Sequence, residues 1–465
     1  MVQTAVLIVL DSLRFDIFEE YLETSDGFLS SMATDGMHHF GATASAPWSL
    51  PSHASMFTGV YPREHGALQT DHMIHPEQET LLNNLNSSGV ETGCFTGNPF
   101  VDPDYGFDGW DRHRNDYSQS VYPDALAPKA EGDGLSEIWE GIRQVMNADK
   151  PFKSFVNGAY RKLRTSPAIV DDGGRRMTQD AKKWMDTNSQ EDLFLFLNYM
   201  DTHDFHKRLT RFGRLRNLIE IQRLRELNEV AGGGGIHSLG SISLTEKEIQ
   251  YFKKVVRDEL CYVESLIEDI RDELDRQGRL QDALFIVCAD HGDALGERGF
   301  VSHLAGVTEP LIRVPLLING REVPKKEVTQ RTSLNWIYHT ISNYFNGDYE
   351  TDLRKVSSYP DSVGAENTGR LLDIIPQNET KVPEKFYESR TAVFDAKYPN
   401  EKFVRIGQQY ENRTIEPRTL FESEGTECDG EIVDEFIKSL SVVDPISRRM
   451  KKSTEDRLKD LGYLD

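Results

Sequence analysis

Three short apolar runs constrain this chain more than anything else in it: Ala5–Leu10, Leu193–Tyr199 and Ala283–Ala289. The first is apolar at every position, as expected of a strand covered by helices on both faces. Each run gives way within two residues to an acid: Asp11, then Asp201-Thr202-His203, then Asp290-His291-Gly292. In an open α/β sheet, groups at the carboxyl ends of parallel strands meet in one crevice, so residues far apart in sequence become neighbours. An acid at the end of a buried strand is costly unless it is paired or bound to a cation. Asp290 and His291 offer an oxygen and a nitrogen ligand from adjacent positions, and Gly292 permits a close turn just beyond them. The convergence predicts a hydrolytic metal site.

Between these runs the chain is rich in helical spacing. The clearest helix starts at Thr245, with Glu248 three residues on as a capping box. It carries Ile249, Phe252, Val256, Leu260, Val263, Ile267, Ile270 and Leu274 on one face before Gly278. It leads straight into the run before Asp290, the α-then-β order of a doubly wound sheet. Thr92–Thr96 and Val314–Ile318 read as further strands. Around Tyr398-Pro399-Asn400, the runs Thr391–Asp395 and Lys402–Ile406 read as a hairpin. The expected architecture is a large, mostly parallel central sheet flanked by helices, with a smaller C-terminal α+β subdomain. The catalytic unit is placed at residues 1–346, with insertions near 100–190 and 207–240, and the C-terminal subdomain at 347–465. Within the second insertion, Lys207–Val230 has helical spacing and several arginines, a solvated face or a basic lid.

A formal charge of −23 over 465 residues argues against nucleic acid as a partner, since that affinity rests on Lys and Arg neutralising phosphates. No apolar run approaches the roughly 20 residues of a membrane-spanning helix. With no signal-like opening at Met1-Val2-Gln3, a cytoplasmic protein without a membrane anchor is expected. The scattered cysteines, Cys94, Cys261, Cys288 and Cys428, read as reduced core residues.

A second chemical element is Pro47-Trp-Ser49-Leu-Pro-Ser-His53, running on to Gly59. Pro51 suits a first helical turn and Gly59 a helix end, which puts Ser49 at a helix N-terminus. There the dipole and free N–H groups favour both an alkoxide and the anionic ester it attacks. Ser49 as a plain N-cap is the alternative.

Taken in order, several segments resemble the sulfatase family of the alkaline phosphatase superfamily. They are Val6–Asp16, Pro47–His53 with Phe57–Pro62 and His65-Gly66, Ala289–Asp293 with Leu295-Gly-Glu297, then His303, Glu309-Pro310 and Arg313–Leu317. Arg457–Tyr463 looks like the family's closing helix. The resemblance implies that Asp11, Asp290, His291 and Ser49 surround a divalent metal, with Ser49 as the nucleophile. It implies that His203 and His303 contact the transferred group or a second metal, which Asp201 and His65 could join, and it places His53 in the catalytic motif. The metal's identity stays open among Ca²⁺, Mg²⁺, Mn²⁺ and Zn²⁺, with the histidine tilting away from Ca²⁺.

Two departures matter. Sulfatases usually carry two successive acids after the first strand, where this chain has Asp11-Ser12. They also carry an Arg where His53 stands, within the signature read for conversion to formylglycine, which speaks against that modification at Ser49. The reading is a metal-dependent hydrolase of small-molecule or glycan sulfate or related phosphate esters. The alternatives are a phosphodiesterase or phosphate-group transferase using unmodified Ser49, and a lapsed, non-enzymatic binder of anionic esters.

Overall fold

The computed structural model describes residues 2–115, 125, 142–164, 173–203, 244–299, 301–303, 306–347, 350–368 and 388–448. Its centre is an eight-stranded sheet: β1 (Thr4–Leu10), β2 (Met37–His39), β3 (Glu91–Thr96), β4 (Arg112–Asn115), β5 (Leu193–Tyr199), β6 (Leu284–Cys288), β7 (Leu316–Asn319) and β8 (Lys326–Val328). The spatial order is β8-β2-β7-β6-β1-β5-β3-β4, and β7 alone runs against the rest. β1 lies in the middle, pairing in parallel with β5 on one side and β6 on the other. The three runs read from the sequence are therefore three adjacent strands. Every residue of each is buried, as their unbroken apolar character requires.

The helices that matter for the site are α1 (Phe15–Thr24), α2 (Phe28–Asp35), α3 (Ser49–Thr58), α4 (Gly174–Thr187), α5 (Glu246–Arg276), α6 (Glu309–Ile312) and α7 (Trp336–Phe345). α5 packs against α1, α2 and α4, while α3 packs against α7, so two groups of helices flank the sheet. In α5 the capping box is formed: the Glu248 carboxylate accepts from the Thr245 N–H at 2.7 Å, and the Thr245 hydroxyl accepts in return. Its predicted stripe from Phe252 to Leu274 is the buried face, and Gly278 follows in the left-handed region at φ 70°. On β3, a Cβ at Gly93 would lie 2.8 Å from the Trp184 ring, so only glycine lets α4 approach this closely.

Two sequence expectations shift. Val314–Ile318 was expected as a strand, but the strand starts at Leu316 and runs antiparallel to β6. Cys94 and Cys288 are buried, whereas Cys261 lies exposed on the outer side of α5; all four cysteines are free thiols. Within the stretch read as an insertion, Arg112–Asn115 adds the edge strand β4 in parallel with β3.

The C-terminal region forms a separate five-stranded antiparallel sheet of β9 (Ser362–Asn367), β10 (Arg390–Asp395), β11 (Glu401–Ile406), β12 (Gln409–Thr414) and β13 (Thr426–Glu427). β10 and β11 are the expected hairpin. Helix α8 (Glu431–Ser439) covers it through Val433 and Phe436. The arginine-rich segment Lys207–Val230 and the expected closing helix 457–463 lie outside the described residues. Among the described residues no helix is long and apolar enough to cross a membrane.

Candidate active site

Asp11 follows β1 directly and is fully buried. Its Oδ2 accepts hydrogen bonds from the side-chain amides of Asn98 at 2.7 Å and Asn198 at 3.3 Å. Its Oδ1 accepts from the Ser12 hydroxyl at 3.3 Å and faces His203 Nε2 at 4.0 Å. The Thr202 hydroxyl donates to the Asp11 carbonyl at 2.7 Å, tying the turn after β5 to the end of β1. Ser12 has φ 58°, an uncommon conformation for a residue with a side chain. In that conformation its N–H donates to Asp290 Oδ1 at 3.0 Å, linking the ends of β1 and β6.

Asp290 Oδ1 also accepts from the His291 N–H at 3.0 Å, while its buried Oδ2 has no hydrogen-bond partner. That oxygen lies 3.4 Å from His291 Nε2 and 3.5 Å from His53 Nδ1. His291 Nδ1 is 2.8 Å from the Gly292 carbonyl, so Nδ1 carries the proton and Nε2 presents a lone pair. Two acceptors thus face each other in a buried space, an arrangement that is costly without a cation between them. One ligand atom from each of Asp11, Asp290 and His291 falls within 4.8 Å of the others, a donor set that fits a divalent metal. Burial alone would raise the Asp290 carboxyl, but His291, His53 and the Ser12 N–H outweigh it and hold the group below its ordinary value. Burial pushes His291 down, against the pull of Asp290, which keeps the ring neutral and able to ligate.

Ser49 is the first residue of α3, after an extended Trp48, and Gly59 ends the helix in the left-handed region. Its Oγ lies 3.3 Å from His291 Nε2. One turn later, His53 Nδ1 donates to the Ser49 carbonyl at 2.8 Å, and the Ser52 hydroxyl donates to the Asp290 carbonyl at 2.6 Å. The sequence Ser-Leu-Pro-Ser-His therefore locks the start of α3 onto the end of β6. The His303 ring sits 4.4 Å from that of His291 and 5.4 Å from that of His203, centroid to centroid. His303 Nδ1 is 3.6 Å from Asp293.

The loop after β6 is braced from behind. The Gly292 N–H donates to Leu311 at 2.8 Å, and a Cβ at 292 would lie 2.1 Å from the Pro310 carbonyl oxygen. Arg14 donates to the Asp293 carbonyl at 2.7 Å and pairs with Glu297 and Asp16, each at 2.9 Å. At the head of α6, buried Glu309 meets Arg313 at 2.7 Å, Arg331 at 2.6 Å and, from β11, Lys402 at 3.5 Å.

Residues 3–347 match the sulfatase family. The chain belongs to the sulfatase family. A choline-sulfatase of Rhizobium meliloti (strain 1021) is 30% identical over 96 residues, which cover 20% of this chain and only 19% of that protein. The phosphonate monoester hydrolase of Agrobacterium radiobacter superposes with a TM-score of 0.64 at 15% identity, covering 97% of this chain and 100% of that one. For the corresponding enzyme of Silicibacter pomeroyi the TM-score is 0.61 at 16% identity, over 94% and 92%. A 2-O GAG sulfatase gives 0.60 at 14% identity, over 96% and 95%. At such identities the structural likeness establishes a shared sulfatase-type fold.

Of the residues singled out in this sulfatase-family chain, Asp11, Ser49, His53, Asp290 and His291 form one cluster, and His203 and His303 flank it. Asp201 and His65 take other places. Asp201 lies beside Gly174 at the N-terminus of α4, where a Cβ would be 2.8 Å from its Oδ2. His65 has both ring nitrogens engaged, accepting from the Ala67 N–H at 3.2 Å and donating to the Ser55 hydroxyl at 3.1 Å. Sequence reasoning passed over Asn98 and Asn198. The second carried a usable signal, since an amide inside a buried strand must find partners.

Proposed function

We propose that this chain is a metal-dependent hydrolase of anionic sulfate or phosphate-type esters, with the Ser49 hydroxyl as nucleophile. The observation that carries the reading is the position of Ser49 Oγ, 3.3 Å from His291 Nε2, at the N-terminus of α3 and beside the Asp11, Asp290 and His291 donor set. A divalent metal held by those three residues would ease deprotonation of a neighbouring hydroxyl and draw charge from the ester oxygens. The chain's own groups do the rest. Free N–H groups of the first turn of α3 favour the anionic ester. Ser49 Oγ forms a bond to sulfur or phosphorus as the bond to the leaving oxygen breaks. His203 or His303 takes the Ser49 proton and returns it to that oxygen, and water then releases the anion from Ser49.

Within this proposal, residues 1–346 form the catalytic unit and 347–465 a C-terminal subdomain, supported by the separate antiparallel sheet. A phosphodiester or phosphonate substrate is the second reading, favoured by a specific observation. His53 replaces the arginine of the modification signature and is committed to the Ser49 carbonyl, and a seryl phosphate is more readily hydrolysed than a seryl sulfate.

The test pairs peptide mass spectrometry of Ser49 with assays of an aryl sulfate, an aryl phosphodiester and an aryl phosphonate monoester, each with added Mg²⁺, Mn²⁺, Zn²⁺ or Ca²⁺. Unmodified serine with turnover of the phosphorus esters alone removes the sulfate reading. Turnover of none, with every metal, overturns the hydrolase.

A further inference from the structure

The carboxylate of Asp11 is held asymmetrically. Oδ2 receives two amide N–H donors, Asn98 at 2.7 Å and Asn198 at 3.3 Å. Oδ1 receives a single hydrogen bond, from the Ser12 hydroxyl at 3.3 Å, with His203 Nε2 4.0 Å away.

The two amides are themselves fixed. The Thr96 hydroxyl donates to Asn198 Oδ1 at 3.2 Å and accepts from the Asn98 N–H at 2.9 Å. Asn98 Oδ1 in turn accepts from the Phe100 N–H at 2.9 Å, so neither amide can turn over without breaking a second bond. All four residues, Asp11, Thr96, Asn98 and Asn198, are buried, and they come from the ends of three neighbouring strands, β1, β3 and β5.

We infer that Asn98 and Asn198 are positioning residues that force Asp11 to bind the metal through Oδ1 alone, and that this single-oxygen attachment selects a smaller divalent cation over Ca²⁺. Ca²⁺ reaches its high coordination number by taking carboxylates with both oxygens in flexible geometry, whereas Mg²⁺, Mn²⁺ and Zn²⁺ are satisfied by fewer, single-oxygen contacts. The departure from two successive acids at Asp11-Ser12 works in the same direction, because Ser12 supplies no second carboxylate. Outer groups that orient a ligand in this way commonly change metal affinity by about 10–100-fold.

This inference rests on the proposed metal site, and the experiment separates the two. Mn²⁺ and Ca²⁺ dissociation constants are measured by titration calorimetry on the full chain, for wild type, Asp290→Ala, Asn98→Ala and Thr96→Val, with far-UV circular dichroism on each. Thr96→Val keeps the shape of the side chain while removing the bond that orients the Asn198 amide and the one that holds the Asn98 backbone N–H, and so serves if Asn98→Ala does not fold. The expected result is Mn²⁺ binding in wild type that Asp290→Ala abolishes. Asn98→Ala and Thr96→Val should weaken Mn²⁺ by roughly tenfold or more and Ca²⁺ by clearly less, so that the preference narrows, and Thr96→Ser should restore it. Equal weakening of both ions, or no change in either, overturns the positioning role while leaving the metal site standing. Absence of Mn²⁺ binding in wild type, or its persistence in Asp290→Ala, overturns the site and the inference together.

Discussion

His291 Nε2 lies 3.3 Å from Ser49 Oγ, although 242 residues separate them in the chain. Because His291 Nδ1 is spent on the Gly292 carbonyl, the nitrogen facing Ser49 is the one with the free electron pair. Ser49→Ala should therefore remove turnover of whichever ester is a substrate, by ~10³-fold or more, while metal affinity changes little. Parallel kinetics and metal titration check this; retained turnover would assign the nucleophile elsewhere.

Asp11 and Asp290 are both fully buried, and Asp290 Oδ2 lacks a donor. A bound cation should then be a large part of the stability of this region, about 2.7 kcal/mol at a metal concentration one hundred times the dissociation constant. Chelation of wild type should lower the melting temperature. In Asp290→Asn, where an amide replaces the unpaired carboxylate, the chelator should have almost no effect by differential scanning calorimetry.

His39 is fully buried on β2, stacks on Tyr359 at 6.3 Å between centroids, and has no hydrogen-bond partner on either ring nitrogen. Burial pushes it down from 6.5 to about 3, and burial does the same to His65. In both, the folded state resists a proton that the unfolded chain takes up below pH 6.5. The folded state loses no stability this way above that pH; below it the loss grows progressively down to about pH 3, where it reaches on the order of 5 kcal/mol per residue. His39→Phe should flatten this acid limb and add about 1 kcal/mol at neutral pH by removing unpaired polar atoms. Urea unfolding at pH 7.5 and pH 5 reads both effects, and an unchanged difference between the two pH values would refute the assignment.

Glu309 neutralises a cluster in which Arg313, Arg331 and Lys402 are all turned inward, and those cations hold its carboxyl far below the usual range despite burial. Glu309→Ala takes the carboxylate away from buried Arg313 and Arg331 and should cost about 3–5 kcal/mol. The loss should also loosen the contact of Gly292 with Leu311 and Pro310, so metal affinity should fall along with stability. A variant that unfolds at the wild-type urea midpoint would show that Glu422, also bound to Lys402 at 2.5 Å, carries the cluster by itself.

Much of the scaffold was legible because its signals are local. The apolar run of β1, the Thr245–Glu248 capping box, the Tyr398–Asn400 turn and the Pro51-to-Gly59 helix each depend on a few consecutive side chains. The site was legible where a polar residue interrupts such a pattern, as at Asp11 and Asp290. Asp201 followed the same rule from the sequence and yet turns towards Gly174, since a strand end specifies a crevice but not a side-chain direction.

By itself the sequence determined which segments are buried strands, where acids and a serine meet their ends, and which family they resemble, because periodicity and end signals act over a few residues. Only the tertiary structure decided that β5 and β6 flank β1, that Ser12 donates to Asp290, and that Asn98 and Asn198 share one oxygen of Asp11. Those relations depend on strand order and on hydrogen bonds a few ångströms long between residues up to 278 positions apart, for which no local pattern exists.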